Sequence, residues 1–307
     1  MRALTRLLAA TDLSGPSLRA VDRGFQLARD TGAAYTIVHA IGLDAAGAWR
    51  ELLGAQAGTV SEKAIARLRE ALSALAADPG RNHGVSADVR VLEGFATDEV
   101  PACAQALDAD LVLVGAHGQG FMQRVLLGST SATLLRRTRC PVLVVKAPGR
   151  DPYRRMLIPV DFSPGSEHAI RMARRIAPAA DVVLLHVFDV PFEGMLRYAG
   201  VDEDVVHRHR IETRERALQQ LHALAERAGL EPTDFTAVVQ HGNATRQIVS
   251  NERQHACDLI VMGKHGQHLT EELLIGSVTK RVLAESRSDV LVVGDGRRPA
   301  APGVTSA

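Results

Sequence analysis

The chain has 307 residues and a formal net charge of +1, so its overall charge shows neither the basic surface of a nucleic-acid-binding protein nor an acidic tail. Hydrophobic residues make up 46% of the chain and aromatic residues only 4%, which favours cores of Val, Leu, Ile and Ala, as in parallel sheets covered by helices. The cysteines Cys103, Cys140 and Cys257 lie far apart, which argues against a disulfide framework or a zinc site.

The apolar runs are all short. None approaches the ~18 residues of a membrane span, and Leu7–Ala10 is too short for a signal sequence. We therefore expect a cytoplasmic protein that contacts neither membrane nor nucleic acid. The length is sufficient for two domains of about 150 residues, each with its own core.

The first half alternates short apolar strands with helices. A helix opens at Gly15-Pro16 and closes at Gly32, and further helices are predicted over 61–77, 98–107 and 130–137. Asp78-Pro79-Gly80 is expected to break the second helix, and residues 41–58 are expected to form a loop. The strands are predicted at 7–10, 35–40, 85–92, 111–114 and 142–145.

The pattern restarts after residues 148–154, whose prolines, glycine and charged side chains are typical of a linker. Ser163 is predicted to cap a helix that begins at Pro164, and residues 296–307 are predicted to be disordered. The predicted domains are therefore 1–147 and 155–295. The strands of the second are expected at 157–160, 181–187, 236–240, 259–262 and 290–293, with helices over 202–228 and 278–284.

Strands that alternate with helices imply right-handed crossovers and parallel pairing. Each half is therefore predicted to be a Rossmann-like α/β domain, with a five-stranded parallel sheet and helices on both faces. In such sheets, ligands bind at the carboxyl ends of the strands.

One glycine motif occurs twice. Gly115-Ala116-His117-Gly118 is followed after nine residues by Gly128-Ser129, and Gly263-Lys264-His265-Gly266 is followed after nine by Gly276-Ser277. Both copies read G-x2-G-x9-G-S, and the offsets agree, since 263−115 and 276−128 both equal 148. An offset near half the chain length indicates an internal duplication.

Each copy of the motif lies between a predicted strand and a predicted helix, which is the layout of a phosphate-binding turn. Glycines allow the backbone to approach a ligand closely, and the N–H groups at the start of a helix attract an anion. The serine hydroxyl adds another donor. The alternative, that these are only tight turns of an α/β sheet, stays open at this stage.

Together these residues resemble the universal stress protein family, specifically its tandem members with two such domains in one chain. The markers are the acids after the first strands, Asp12 and Asp161, the histidines His39 and His186, and the duplicated glycine motif. The resemblance implies ATP binding in both halves, with Mg²⁺ held mainly by phosphate oxygens, in domains of the adenine nucleotide alpha hydrolase-like type. It also implies that the last strands of the two halves pair within the chain as a pseudo-dimer; association into a further homodimer is left open.

The resemblance also implies roles for individual residues. Adenine and ribose would contact Asp12 and Ala40, ribose and the first phosphates would contact Gly115 and Gly118, and the outer phosphates would contact Gly128, Ser129 and Thr130. The corresponding residues of the second half are Asp161, Val187, Gly263, Gly266, Gly276, Ser277, Val278 and Thr279. His117 and His265 lie in the two glycine turns, where we expect them to hydrogen-bond or pack rather than to act in catalysis.

Other chemistry has weaker support. The chain contains no G-x-x-x-x-G-K-[ST] motif and only four lysines, so any ATP hydrolysis is expected to be slow. Lys264 could reach a phosphate, but Ala116 occupies the matching position, which favours a solvated lysine. His207 and His209 point to different faces of their helix, and we expect no specific metal site.

Three functions are compatible with these residues. The favoured one is an ATP-binding regulatory protein of the stress response with unidentified protein partners. The others are a slow ATP hydrolase or nucleotidyl-transfer enzyme, and a nucleotide-free tandem scaffold for protein partners.

Overall fold

A computed structural model of the chain describes residues 3–42, 57–118, 127–148, 151–189, 199, 202–265 and 275–294. The predicted tail 296–307, most of the predicted loop 41–58 and Gly266 lie outside the described residues. Within these ranges, no helix combines the length and the apolar character needed to cross a membrane.

The elements of the first half occur in the predicted order, with ends that differ by a few residues. The short helix α3 follows α2 directly, where the sequence predicted only a break. The elements are β1 (Arg6–Ala10), α1 (Gly15–Thr31), β2 (Ala34–Ile41), α2 (Ala57–Ala77), α3 (Pro79–Asn82), β3 (Ala87–Glu93), α4 (Ala96–Ala106), β4 (Leu111–Gly115), α5 (Ser129–Arg137) and β5 (Val142–Val145).

The second half repeats this order. The sequence analysis set no bounds for one of its helices, α8, which matches α4 of the first half. The elements are β6 (Arg155–Val160), α6 (Pro164–Ile176), β7 (Asp181–Phe188), α7 (Glu203–Arg227), β8 (Phe235–His241), α8 (Ala244–Gln254), β9 (Leu259–Gly263), α9 (Ser277–Glu285) and β10 (Asp289–Val293).

All ten strands form one sheet, in the order β3-β2-β1-β4-β5-β10-β9-β6-β7-β8. Pairing within each half is parallel, which confirms the predicted α/β fold. The two halves meet through β5 and β10, which run antiparallel with Leu291 opposite Leu143. The last strands of the two halves therefore join two five-stranded sheets into one.

Both faces of the sheet are covered. Side chains alternate along each strand, so Leu111 and Leu113 belong to one apolar cluster while Val112 and Val114 belong to the other. Each cluster draws residues from both halves of the chain. A sheet that buries both faces explains why the strands read as continuous apolar runs.

The first helices of the two halves begin differently. Ser14 caps α1 by accepting a hydrogen bond from the amide of Ser17, and Gly32 ends the helix with φ 70°. Ser163 occupies the same place before α6, but its hydroxyl donates to Oδ1 of Asp161 at 2.6 Å. Ser163 is the N-cap residue and Pro164 the first residue of α6, as predicted, although the Ser163 side chain makes no capping hydrogen bond.

A buried polar cluster joins the halves beside β5 and β10. Asp289 is fully buried and accepts hydrogen bonds from the Tyr153 hydroxyl at 2.6 Å and from the amide of Lys146 at 2.8 Å. The buried Arg23 of α1 lies with Nε 3.5 Å from the same carboxylate, and its guanidinium stacks over the Tyr153 ring. The segment predicted as a linker thus contributes a buried side chain, Tyr153, to the junction.

Candidate functional site

The predicted site residues of the first half meet at one edge of the sheet. Ala10, the last residue of β1, lies beside Val38 of β2 on one side and Val114 of β4 on the other. Parallel strands end at the same edge, so Asp12, two residues beyond Ala10, adjoins the ends of both neighbours. The parallel register therefore brings together residues that are more than a hundred positions apart in the chain.

The turn after β1 holds the Asp12 carboxylate in place. Its Oδ1 accepts hydrogen bonds from the amide of Ser14 at 3.0 Å and from the Ser14 hydroxyl at 2.5 Å. Between them, Leu13 has a φ of 63°, a left-handed conformation that a branched side chain rarely adopts. Strain of this kind persists only where the surroundings enforce it, and it is concentrated at ligand sites.

The second half builds the same turn, but a second serine hydroxyl also bonds the aspartate. Asp161 Oδ1 accepts from the Ser163 hydroxyl at 2.6 Å and from the Ser166 hydroxyl at 2.7 Å, and Phe162 has a φ of 64°. In the first half, the hydroxyl of Ser17 instead lies 2.8 Å from that of Thr11. The second half has an apolar side chain, Val160, before Asp161, so the Ser166 hydroxyl turns to the aspartate.

Two glycines of the first motif lie so close to neighbouring atoms that a Cβ would force a shift. A Cβ added to Gly115 would lie 2.8 Å from the carbonyl of Pro16, and one added to Gly118 would lie 2.7 Å from Oδ2 of Asp12. Gly128 is buried and donates its amide to the carbonyl of Ala116 at 2.9 Å. The glycine turn, the aspartate and the start of α5 are therefore in direct contact.

The helices after the two glycine turns are anchored alike. Ser131 of α5 donates its hydroxyl to the carbonyl of Gly115 at 2.8 Å, and Thr279 of α9 donates to that of Gly263 at 3.1 Å. Thr279, which the resemblance placed beside phosphate, is buried and uses its hydroxyl within the fold. Ser129 and Thr130 are exposed at the start of α5.

Neither helix has a side-chain cap at its first turn. Gly128 and Gly276 occupy the N-cap positions of α5 and α9 and provide no side-chain acceptor for the first amides. The N–H groups there carry the positive end of the helix dipole. Two such turns, each facing the carboxyl edge of a parallel sheet, form a pair of candidate anion-binding sites.

The sequence comparisons identify the family. A profile described as the universal stress protein family matches residues 4–146 and again residues 152–294. The chain belongs to the universal stress protein family. Universal stress protein Rv2005c of Mycobacterium tuberculosis is 28% identical over 272 residues, which cover 84% of this chain and 86% of that protein. A universal stress protein of Mycolicibacterium smegmatis is 31% identical over 247 residues, or 76% and 77% of the two chains.

Solved structures of universal stress proteins share the fold over nearly the whole chain. One from Archaeoglobus fulgidus superposes with a TM-score of 0.63 at 18% identity and covers 95% of this chain and 98% of that one. One from Pseudomonas aeruginosa has a TM-score of 0.61 at 20% identity, over 95% and 94%. The tandem arrangement of two universal stress protein domains is therefore established for this chain.

The second glycine turn of this universal stress protein contains a lysine that crosses to the other half. Lys264 is 8% exposed, and its Nζ donates to the carbonyl of Arg136, at the end of α5, at 2.7 Å. The predicted solvated lysine is wrong, because the antiparallel pairing of β5 with β10 brings the end of α5 against this turn. The matching Ala116 of the first half has no side chain to make such a contact.

Two histidines support the turns after β1 and β6. His39 Nδ1 lies 2.9 Å from the carbonyl of Thr11, and His186 Nδ1 lies 2.9 Å from that of Val160. Burial lowers the pKa of His186 below its ordinary value, although the Val160 carbonyl and the Asp161 carboxylate oppose this shift. His186 is therefore neutral at pH 7, and its Nδ1 carries the hydrogen that the carbonyl accepts.

Sequence reasoning missed several residues that shape the sites. The residues that orient the two aspartates, Ser14, Ser17, Ser163 and Ser166, were not assigned to the ligand sites. The signal that would have found them is the repetition of a serine two residues and another five residues after each aspartate. Val187 is half-buried and packs against an apolar cluster, and Gly266 lies outside the described residues.

Proposed function

We propose that this universal stress protein binds adenine nucleotide, ATP with Mg²⁺, once in each half, and acts as a regulatory protein of the stress response. The observation that carries the proposal is the convergence of Asp12, Gly118 and the uncapped start of α5 at one edge of the sheet. In the second half, Asp161 matches Asp12, Gly263 matches Gly115 and the start of α9 matches that of α5, while Gly266, the match of Gly118, lies outside the described residues.

The phosphates would bind at the helix starts. The amides after Gly128 and Gly276 present hydrogen-bond donors and a positive dipole end, which together favour an anion. Ser129 and Thr130 are exposed there, so their hydroxyls are available to phosphate oxygens. The second half offers the exposed Ser277, while its Thr279 hydroxyl is bonded to Gly263.

The nucleoside would bind beside the aspartates. Serine donors fix Oδ1 of Asp12, and Oδ2 faces the glycine turn, where it can accept a hydrogen bond from a ribose hydroxyl or an exocyclic amine. Ala40 of β2 is small and half-buried, so a base could lie against its methyl group. The absence of a side chain on Gly118 allows the Asp12 carboxylate to lie against the glycine turn.

Mg²⁺ would be held by the nucleotide. Among the residues that the structure describes, no group of three His, Cys, Asp or Glu side chains is arranged to hold a metal ion. Mg²⁺ prefers oxygen ligands and retains water, and it commonly binds proteins through substrate phosphates and one or two carboxylates. The residues around the glycine turns fit a metal that enters with ATP.

Our proposal of a regulatory role is supported by the side chains at matching positions of the two glycine turns. Lys264, the basic side chain of the second glycine turn, is already bonded to the carbonyl of Arg136. The first turn has Ala116 at this position. Neither arrangement supplies the lysine that stabilises the transition state in P-loop enzymes, so we propose that occupancy rather than hydrolysis is the signal.

Calorimetric titration with Mg-ATP tests the proposal. We expect about two nucleotides per chain for the wild type and one for Gly118→Val, because a branched side chain would collide with Asp12. Gly58→Ala is the matched control, since a Cβ at Gly58 would meet none of the described atoms within 4 Å. The absence of any binding heat with the wild type would refute the proposal, and rapid phosphate release lost in Gly118→Val would favour an enzyme instead.

A further inference from the structure

Two of the four lysines of the chain cross the junction between the halves. Lys264 of the second half donates to the carbonyl of Arg136 at 2.7 Å. Lys146 of the first half donates to the carbonyl of Ser286 at 2.9 Å and to its hydroxyl at 2.6 Å. Each lysine therefore binds the C-terminal end of a helix that belongs to the opposite half.

The two helices that receive these lysines are the ones that begin at the candidate phosphate sites. Arg136 lies in the last turn of α5, and Ser286 is the C-cap residue of α9. The last carbonyls of a helix lack partners within it and carry the negative end of its dipole. A lysine at each C-terminus thus stabilises a helix whose N-terminus is positioned for phosphate.

Each lysine is also linked to the glycine turn of its own half, since Lys264 is part of the second turn and Lys146 follows a residue that is bonded to the first. The amide of Lys264 donates to Val293, and its carbonyl accepts from Gly276, the residue that precedes α9. Lys146 follows Val145, whose carbonyl accepts from Ala116 in the first glycine turn. Each lysine therefore connects the glycine turn of one site to the C-terminal end of the helix whose N-terminus forms the other site.

We propose that nucleotide binding at the two sites is positively coupled through Lys264 and Lys146. The inference rests on the nucleotide sites proposed above and specifies their regulation. A nucleotide that orders the second glycine turn also fixes Lys264, and thereby the C-terminal end of α5. The first site then loses less conformational entropy when it binds its own nucleotide.

The two connections are not equivalent. Lys264 lies within the glycine turn itself, whereas Lys146 lies one residue beyond a strand residue that contacts the other turn. The positions that match them by an offset of 148 are Ala116 and Gly294, neither of which carries an amine. We therefore expect Lys264 to provide most of the coupling, which is reciprocal between the two sites.

Hydrogen exchange in a Gly118→Val background tests the coupling directly, because Mg-ATP can then occupy only the second site. We expect added Mg-ATP to slow exchange several-fold at the last amides of α5, residues 135–138, although these lie in the unoccupied half. Lys264→Met, compared with the parent at Mg-ATP concentrations that give equal occupancy of the second site by calorimetry, should abolish this protection. Lys264→Arg, which keeps donors for the Arg136 carbonyl, should retain it.

The matched control is Lys63→Met, which removes an exposed lysine of α2 that belongs to neither glycine turn and should leave the protection unchanged. One bound nucleotide without any change at residues 135–138 would overturn the coupling but leave the proposed function intact. Protection that persists undiminished in Lys264→Met would overturn the role of the lysine. A wild type without nucleotide binding would refute the sites themselves, which calorimetry distinguishes from loss of coupling.

With both sites intact, the same inference predicts cooperative binding. Coupling between sites commonly changes affinity by about 5- to 150-fold, and we expect the lower end of that range here. The wild type should show a Hill coefficient above 1 for Mg-ATP, and Lys264→Met should bind two nucleotides independently. A wild type that binds two nucleotides with a Hill coefficient of 1 would contradict the proposal.

Discussion

Asp12 and Gly118 lie in direct contact at the carboxyl edge of the sheet, so that a Cβ on the glycine would come within 2.7 Å of Oδ2 of the aspartate. The aspartate cannot turn away freely, because Ser14 binds its other oxygen. The Asp12 carboxylate can lie this close to the backbone of Gly118 only because the glycine has no Cβ.

Gly118→Ala should therefore weaken nucleotide binding at the first site without unfolding the protein. We expect about a tenfold loss of affinity, or roughly 1.4 kcal/mol, because the methyl group displaces the carboxylate that faces the ligand. Gly118 is exposed, so the free energy of unfolding should change by less than about 0.5 kcal/mol. Titration calorimetry and urea unfolding measure the two effects; unchanged affinity would argue against Asp12 as a ligand.

The two glycines that end β4 and β9 should respond differently to substitution. A Cβ on Gly115 would lie 2.8 Å from backbone atoms of Pro16, whereas the nearest described atom to one on Gly263 is the His265 carbonyl oxygen, at 3.1 Å. We expect Gly115→Ala to cost about 1–3 kcal/mol of unfolding free energy and Gly263→Ala less than about 1 kcal/mol. Chemical denaturation of both variants tests this, and equal losses would contradict it.

Asp289 should be among the most sensitive side chains at the junction. Asp289→Ala would leave the buried Arg23 without its carboxylate, and breaking a buried ion pair in this way costs about 3–5 kcal/mol. Tyr153→Phe removes one hydrogen bond to the same carboxylate and should cost about 1–2 kcal/mol. Urea unfolding curves give both values.

The matched control for Asp289 is Asp181→Ala, which breaks an exposed ion pair with Arg155. Exposed pairs are worth at most about 1 kcal/mol, so this variant should remain near wild-type stability. If Asp289→Ala were no more damaging than Asp181→Ala, the buried cluster would not hold the halves together.

Lys146 should make stability depend on pH above neutrality. Burial lowers the pKa of its amine from 10.5 to about 8, against the opposing effect of Glu252 and Asp289. Between those two values the unfolded chain binds more protons than the folded one, so the free energy of unfolding rises with pH across this window. Below pH 8 both states are protonated, and the contribution of Lys146 is constant.

The measurement is the difference in unfolding free energy between the wild type and Lys146→Met at pH 7.5 and at pH 9.5. We expect the wild type to gain about 1–2 kcal/mol relative to the variant at the higher pH, since one pKa unit corresponds to about 1.4 kcal/mol. Other titrating groups cancel in the difference. Lys63→Met should show no such change, and a flat difference for Lys146→Met would contradict the prediction.

Local patterns predicted much of the fold and the position of the candidate sites. The duplicated motif around Gly115 and Gly263, with strands before and helices after it, required only residues close together in the chain. Alternating strands and helices then implied parallel sheets, and parallel sheets place Asp12 and Gly115 at the same edge. The N-cap at Ser163 and the helix start at Pro164 were predictable from adjacent residues, whereas the hydrogen bond from the Ser163 hydroxyl to Asp161 was not predicted.

What the sequence determined by itself is the duplication, the α/β order and the glycine turns, because each depends on side-chain periodicity or on backbone freedom within a few residues. What the tertiary structure alone decided is the use of Lys264, Lys146 and Asp289. Their partners, Arg136, Ser286 and Tyr153, lie more than a hundred residues away. These contacts exist only because β5 and β10 pair antiparallel in one register, and no local pattern encodes which helix end that register brings within reach of a lysine.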